Sequence, residues 1–300
     1  MALGLGVAFV WGLGLVFAKA AISHFPPILL MAFRFTVTAA VLVWFITPTK
    51  NQLTNLLIIS FISATLQYSL TFSGLLGLNA SATALIIQLE IPFLVIIGAI
   101  FLNETPGWQR WVGIIIAFYG VYQITGEPQI GDAIGSVILV IAGGLAWATG
   151  QAMVRQLKNI SSISIAAWVA VLAFPQLFIT SAFFETGHVA AIKSADWLVW
   201  STVIYLGLIM TALGYYMWYT LIQRTPVSEA APYLLTLPLF SMAGAWFFLD
   251  ETFSKQTLLS GGIILSGVAL IVFAPTKKTC LLYTSPSPRD QRGSRFPSSA

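Results

Sequence analysis

Charge is the scarcest property of this chain. Asp, Glu, Lys and Arg together make up 8% of its 300 residues, against about 25% in an ordinary soluble domain. So few ionised groups cannot cover a soluble surface, which excludes a water-soluble catalytic or binding domain. Cysteine is nearly absent as well. The one cysteine, Cys280, rules out an intramolecular disulfide and any cysteine-based metal cluster. The two histidines, His24 and His188, stand in separate loops without HExxH spacing, so no metal centre and no other cofactor is expected. There is no Walker A run, which excludes direct drive by ATP. No basic n-region or A-x-A site accompanies the first apolar run, so no cleaved signal peptide is expected. The net charge of +4 makes no case for nucleic acid, because the basic residues are scattered among polar breaks.

What the chain has in abundance is apolar sequence, with 58% hydrophobic residues and a mean hydropathy of +0.88. These residues fall in runs of membrane-spanning length, at 2–22, 28–46, 53–73, 80–101, 108–125, 132–152, 163–184, 196–221, 228–249 and 256–274. The expected fold is an all-α integral membrane protein with ten transmembrane helices. Trp44, Trp108, Trp111, Tyr122, Trp197 and Trp246 stand near the ends of runs, where interfacial aromatic belts form. With the amino terminus in the cytoplasm, Lys50, Arg110, Arg155, Lys158, Arg224, Lys277 and Lys278 fall in inside loops or the tail. Only Lys193 and Lys255 then fall outside. That asymmetry predicts that both termini are cytoplasmic.

Sliding the sequence by 147 residues lays one half on the other. Leu66-Gln67-Tyr68 meets Leu213-Gly214-Tyr215, Ser81 and Ala84 meet Ser228 and Ala231, Glu104-Thr105 meets Glu251-Thr252, and Gly120 meets Gly267. Earlier in each half, Trp11 and Lys19 meet Trp147 and Arg155 at a shift of 136; Pro92 meets Pro238 at 146. Five helices per half, an odd number, bring the two copies into the membrane from opposite sides. The chain therefore reads as two inverted five-helix repeats, with a site expected near the midplane between them. Glu104 and Glu251, at mated turns, read first as acids stabilising helix starts.

One residue stands out within the runs. Glu90 sits in the middle of residues 80–102, where a carboxylate costs about 2.5 kcal/mol or more unless it faces protein or a water-filled cavity. Pro92, two residues on, removes a helix hydrogen bond at the same depth. A broken helix with a buried acid marks a solute pathway; the alternative is a structural acid paired inside the bundle, for instance with Arg34. Arg34 itself either snorkels outward or pairs with an acid. Large polar and aromatic side chains at helical spacing complete a candidate substrate-binding cavity: Trp11, Gln67, Tyr68, Thr71, Gln88, Glu90, Trp147, Gln151, Tyr215 and Tyr219. Gln67 and Thr71 share one helix face, as do Trp147 and Gln151, and Tyr215 and Tyr219. For single Ser and Thr residues, such as Ser63 and Thr65, the default is helix–helix packing, and for Gly143-Gly144 and Gly261-Gly262 it is close helix contact.

Several stretches carry a family resemblance. They are Val10-Trp11-Gly12 through Lys19, Phe25-Pro26-Pro27, Arg34-Phe35, Leu89-Glu90-Ile91-Pro92 before Asn103-Glu104, and Ala212-Leu213-Gly214-Tyr215 leading to Pro226-Val227-Ser228. Together they resemble the EamA-type transporters of the drug/metabolite transporter superfamily. The resemblance implies a multi-pass carrier of the bacterial inner membrane, with a first EamA repeat over 1–125 and a second over 132–275. The Trp-Gly-Leu start and the Pro-Pro turn are most similar to exporters of amino acids and their metabolites, including the O-acetylserine/cysteine type. That branch carries a glutamine where Glu90 stands here.

The expected function is thus a secondary transporter, not an enzyme, that exports small polar metabolites such as amino acids or derivatives by alternating access. Its partners are a small-molecule substrate and the lipid bilayer, with protons as the candidate coupling ion. Export or import of drugs, nucleotide sugars or sugar phosphates stays open, although phosphate calls for several cavity cations and only Lys19 and Arg34 are at hand. A membrane-embedded enzyme lacks a catalytic set to carry it. Residues 279–300 form an unstructured tail, and CLLYTSPSPRD from Cys280 to Asp290 resembles a translated sequencing adapter without functional meaning. A reporter fused after Lys278 is expected to be active only on the cytoplasmic side, with insertion unchanged when residues 279–300 are removed; periplasmic activity would overturn this orientation.

Overall fold

The computed structural model describes residues 2–47, 52–101, 104–127, 130, 133–157, 159–224 and 232–274, with backbone alone over 222–224. Lys50, Asn103, Lys158, Pro226, Val227, Ser228, Lys277, Lys278 and the whole tail 279–300 lie outside these residues. The described residues are mostly helical, without a strand. In chain order the helices are α1 (Ala2–Ile22), α2 (Pro27–Phe45), α3 (Leu53–Leu76), α4 (Ala80–Phe101) and α5 (Trp108–Ile124). The second half holds α6 (Ile134–Val154), α7 (Ser162–Phe184), α8 (Trp197–Leu221), α9 (Pro232–Leu249) and α10 (Lys255–Phe273). A short helix, His188–Ser194, bridges α7 and α8.

Among the described residues, nine of these helices are long and apolar enough to cross a membrane. The exception is α5, whose 17 residues rise about 25 Å at 1.5 Å per residue, just under the ~30 Å of a hydrocarbon core. Trp108, Trp111 and Tyr122 at its two ends are exposed, as the aromatic-belt reading expects.

Several helix ends are satisfied by side chains distant in sequence, two of them from the other half of the chain. Pro27 opens α2 at a position where no backbone donor is needed. The next two amides, Ile28 N and Leu29 N, donate to the Glu185 carboxylate at 2.7 and 2.9 Å. Glu251 does the same for α4, accepting from Ala80 N at 2.8 Å and from the Ser81 hydroxyl at 2.6 Å. The helix-start reading of Glu251 therefore holds. At the C-terminal end of α3, Lys19 Nζ from the same half donates to the carbonyls of Leu75 and Leu76 at 2.9 and 3.0 Å, a cation on a helix C-terminus. Glu104 pairs with Arg155 at 3.5 Å.

The 147-residue correspondence appears in the backbone. A π-helical stretch, Phe61–Leu66, lies inside α3, and another, Leu206–Leu213, lies inside α8. Their last residues are mates in the shifted alignment. Likewise α4 is interrupted at Gln88-Leu89 and α9 at Leu235-Thr236. Neighbours correspond too: α1 packs on α9 as α6 packs on α4, and α3 on α6 as α8 on α1. The pairs α2–α7 and α5–α10 each join a helix to its own mate.

Small residues permit the closest of these approaches. At α5–α10 a Cβ on Gly267 would stand 2.5 Å from Ala117 N, and at α3–α6 one on Gly143 would collide with Thr71. Gly262 differs from the close-contact expectation, because open space lies in front of it.

Candidate functional site

The prolines of α4 and α9 set the geometry of the centre. Pro92 has no N–H for the Gln88 carbonyl, which instead accepts from Ile91 N at 3.2 Å, a tighter turn. Pro238 likewise leaves the Leu234 carbonyl without its usual donor. Here the other half intervenes: Gln88 Nε2 donates to Leu234 O at 3.0 Å. Gln88, expected in the cavity wall, is buried and serves as a tie between the two broken helices.

Beside this tie lies a cavity of about 490 Å³, a volume that includes its open mouth. Of the residues expected there, Trp11, Gln67, Tyr68, Thr71, Glu90, Trp147 and Tyr215 line it. Gln88, Gln151 and Tyr219 do not. Tyr219 stacks behind Tyr215, ring centroids 5.5 Å apart at 19°, and hydrogen-bonds Gln151. The sequence reading missed Leu15, Phe72, Ile87, Met210 and Leu237, which complete the wall. Helical spacing held a signal for two of them, since Leu15 follows Trp11 by four residues and Phe72 follows Tyr68 by four.

Six of the twelve lining residues form mated pairs. Tyr68 Oη and Tyr215 Oη, 147 residues apart, share a 2.7 Å hydrogen bond, so the mated tyrosines meet where the halves meet. Trp11 and Trp147 are also mates, as are Glu90 and Leu237. Polarity is unequal across this junction. On the side of α3, α4 and α6 stand Gln67, Thr71, Glu90 and Trp147 with Tyr68, Phe72 and Ile87; on the side of α1, α8 and α9 stand Leu15, Met210 and Leu237 with Trp11 and Tyr215, so the carboxylate and the amide lie on one side only. Trp11 is held by its indole N–H donating to Met210 O at 3.1 Å, and its ring meets Tyr215 edge-on at 5.9 Å. Gln67 Nε2 donates to Thr71 Oγ1 at 3.3 Å, while buried Gln67 Oε1 has no hydrogen-bond partner among the described residues.

Glu90 opens the second part of α4, partly exposed to this cavity and facing Gly144 of α6. Among the described residues it makes no hydrogen bond or ion pair. Arg34 is not its partner: the one ion pair among the described residues is Arg155–Glu104. Neither expectation for Arg34 describes what is found. Its side chain is 1% exposed, so it does not snorkel, and it pairs with no acid. Its Nε donates to Thr211 Oγ1 in the π-helical stretch of α8, its Nη1 approaches Met31 Sδ at 3.6 Å, and its Nη2 donates to Tyr68 Oη at 3.3 Å. The guanidinium lies 4.6 Å over the Tyr68 ring, a cation–π contact.

The sequence matches the EamA-like transporter family over residues 1–126 and 134–273. The chain belongs to that family. Among other members, a probable amino-acid metabolite efflux pump of Escherichia coli (strain K12) is 26% identical over 281 residues, covering 90% of this chain and 94% of that protein. A probable terminal-alkyne amino-acid exporter of Streptantibioticus cattleyicolor is 26% identical over 204 residues, 66% of each chain. A protein of known crystal structure superposes with a TM-score of 0.63 at 17% identity, covering 90% of this chain and 94% of the other, which shows a shared fold. As an EamA-like transporter the chain is a multi-span membrane protein that handles a small molecule across a bilayer.

The tie between the broken helices makes a stability prediction. Gln88→Leu removes the donor and leaves Leu234 O unsatisfied, at a cost of about 1–3 kcal/mol. Thermal unfolding in detergent is expected at a lower temperature for the variant than for wild type. An unchanged midpoint would show that the bond contributes nothing.

Proposed function

We propose that this EamA-like transporter is a secondary carrier that exports small polar metabolites, amino acids or their derivatives, across the bacterial inner membrane by alternating access of two inverted five-helix repeats. The observation that carries the reading is the cavity at the junction of mated positions, with an unpaired carboxylate, Glu90, on its wall beside two proline-broken helices. Broken helices at the repeat junction are where secondary carriers bind solute. The Escherichia coli and Streptantibioticus cattleyicolor relatives, a probable amino-acid metabolite efflux pump and a probable terminal-alkyne amino-acid exporter, support the substrate class. A phosphate-bearing substrate is the poorer fit, since no Lys or Arg is among the lining residues. The proposed orientation keeps both termini in the cytoplasm, on the Lys/Arg asymmetry of the loops.

Glu90 is the proposed coupling acid. A carboxylate that is charged in one access state and neutral in the other shifts which state is stable, because a charge in a low-dielectric site is costly. Inside-out vesicles given a panel of labelled amino acids are expected to accumulate at least one of them in response to a pH gradient. Glu90→Gln is expected to lose the dependence on the gradient while still exchanging that amino acid when it is supplied at saturating concentration. Full gradient dependence in the variant would remove Glu90 from coupling, and no movement of any panel member in wild type would overturn the substrate class.

A further inference from the structure

Arg34 is a charge without a counter-charge. A guanidinium buried in a membrane bundle costs several kcal/mol unless it is paired and hydrogen-bonded. Three contacts use three of its five N–H groups, and none goes to a carboxylate. Its mate by the 136-residue shift is Ala170, so repeat symmetry does not require a cation here.

Proton bookkeeping shows what the arginine does to its neighbours. Arginine donates and never accepts. The Arg34 Nη2–H therefore occupies a lone pair of Tyr68 Oη. The 2.7 Å contact between Tyr68 and Tyr215 consumes one of the two hydroxyl protons, whichever tyrosine donates. One hydroxyl proton of the pair is left over. Neither hydroxyl has a further acceptor among the described residues, and both tyrosines line the cavity. The leftover donor belongs to a hydroxyl pair carried by two cavity-lining residues and bonded to a cation at Tyr68.

We infer that the Tyr68–Tyr215 hydroxyl pair, charged from behind by Arg34, is a carboxylate subsite, with Glu90 receiving the ammonium group of the same zwitterionic amino acid. The inference rests on the proposed amino-acid reading and adds how each end of the substrate is told apart. A bound carboxylate supplies the acceptor that the hydroxyl pair lacks and the negative charge that Arg34 lacks. The carboxylate of Glu90 supplies the opposite charge for the ammonium. The remaining walls, Leu15, Met210 and Leu237 among them, suit an apolar side chain. Arg34 acts through the tyrosines and is a positioning residue.

The test uses purified full-length protein in nanodiscs and three probes: L-leucine, L-leucinamide, which lacks the carboxylate, and 4-methylpentanoate, which lacks the ammonium. Binding is read from tryptophan fluorescence, since Trp11 and Trp147 line the cavity. Wild type is expected to bind L-leucine at least tenfold tighter than either analogue. Tyr215→Phe, which keeps the ring and removes the hydroxyl, is expected to weaken L-leucine and 4-methylpentanoate about tenfold, ~1.4 kcal/mol, and to leave L-leucinamide unchanged. Glu90→Gln is expected to show the reverse selectivity, and Arg34→Met to follow Tyr215→Phe. Equal weakening of all three probes by Tyr215→Phe would make the tyrosine a wall and overturn the subsite. Failure of wild type to bind L-leucine, while vesicles still export another amino acid, overturns this inference alone. Absence of transport for every amino acid in the vesicle panel overturns the reading beneath it.

Discussion

In hydrocarbon no water is available to satisfy a backbone group, so every carbonyl released by a helix break needs a partner inside the protein. The centre of this structure depends on that constraint. Pro92 and Pro238 break α4 and α9 at mated depths, and the two released carbonyls are satisfied differently. Gln88 O is taken up by the tightened local turn. Leu234 O is taken up by the Gln88 amide reaching across from the other half. The same residue thus carries one released carbonyl and ties down the other. Because both breaks are held, neither helix needs to straighten, and the space beside them stays open as the cavity.

Around that space the two halves match in backbone and differ in chemistry. The π-helical stretches, the breaks and the junction tyrosines all obey the 147-residue correspondence, which gives the cavity walls of like shape from each half. The side chains do not follow. Glu90 faces its mate Leu237, Gln67 is matched by Gly214, and Thr71 by Trp218. The cavity thereby has its carboxylate, amide and threonine on the side of α3 and α4 only. Under the proposed reading, such a site would orient a solute that is itself polar at one end and apolar at the other.

Much of this was legible in the sequence, and the limits have physical causes. The helices were readable because apolar runs of spanning length have no other stable use in a chain so poor in charge. The matched backbone features were foreshadowed by short matched runs such as Leu66-Gln67-Tyr68 with Leu213-Gly214-Tyr215. That Tyr68 and Tyr215 touch was not, since mates meet only if they lie at the junction, and a linear shift carries no such coordinate. Gln88 was recognisable as a polar group in need of a partner, but the partner is a carbonyl 146 residues away. The π-helical stretches left no trace, because neither contains the proline that marks the α4 and α9 breaks. Arg34 was left between two ordinary fates and met neither, because its partners are a threonine, a tyrosine hydroxyl and aromatic faces, none of which advertises itself as a cation site.

The central claim is that one cavity at the junction of the halves is reached from the two sides of the membrane in turn. The most direct measurement places a single cysteine at Ile87, which lines the cavity and makes no side-chain hydrogen bond, in a Cys280→Ser background. A membrane-impermeant thiol reagent is then applied to right-side-out and inside-out vesicles, with and without a transported amino acid. The account predicts labelling from each side separately, with the amino acid changing the two rates in opposite directions. Labelling from one side only, under every condition, would contradict it.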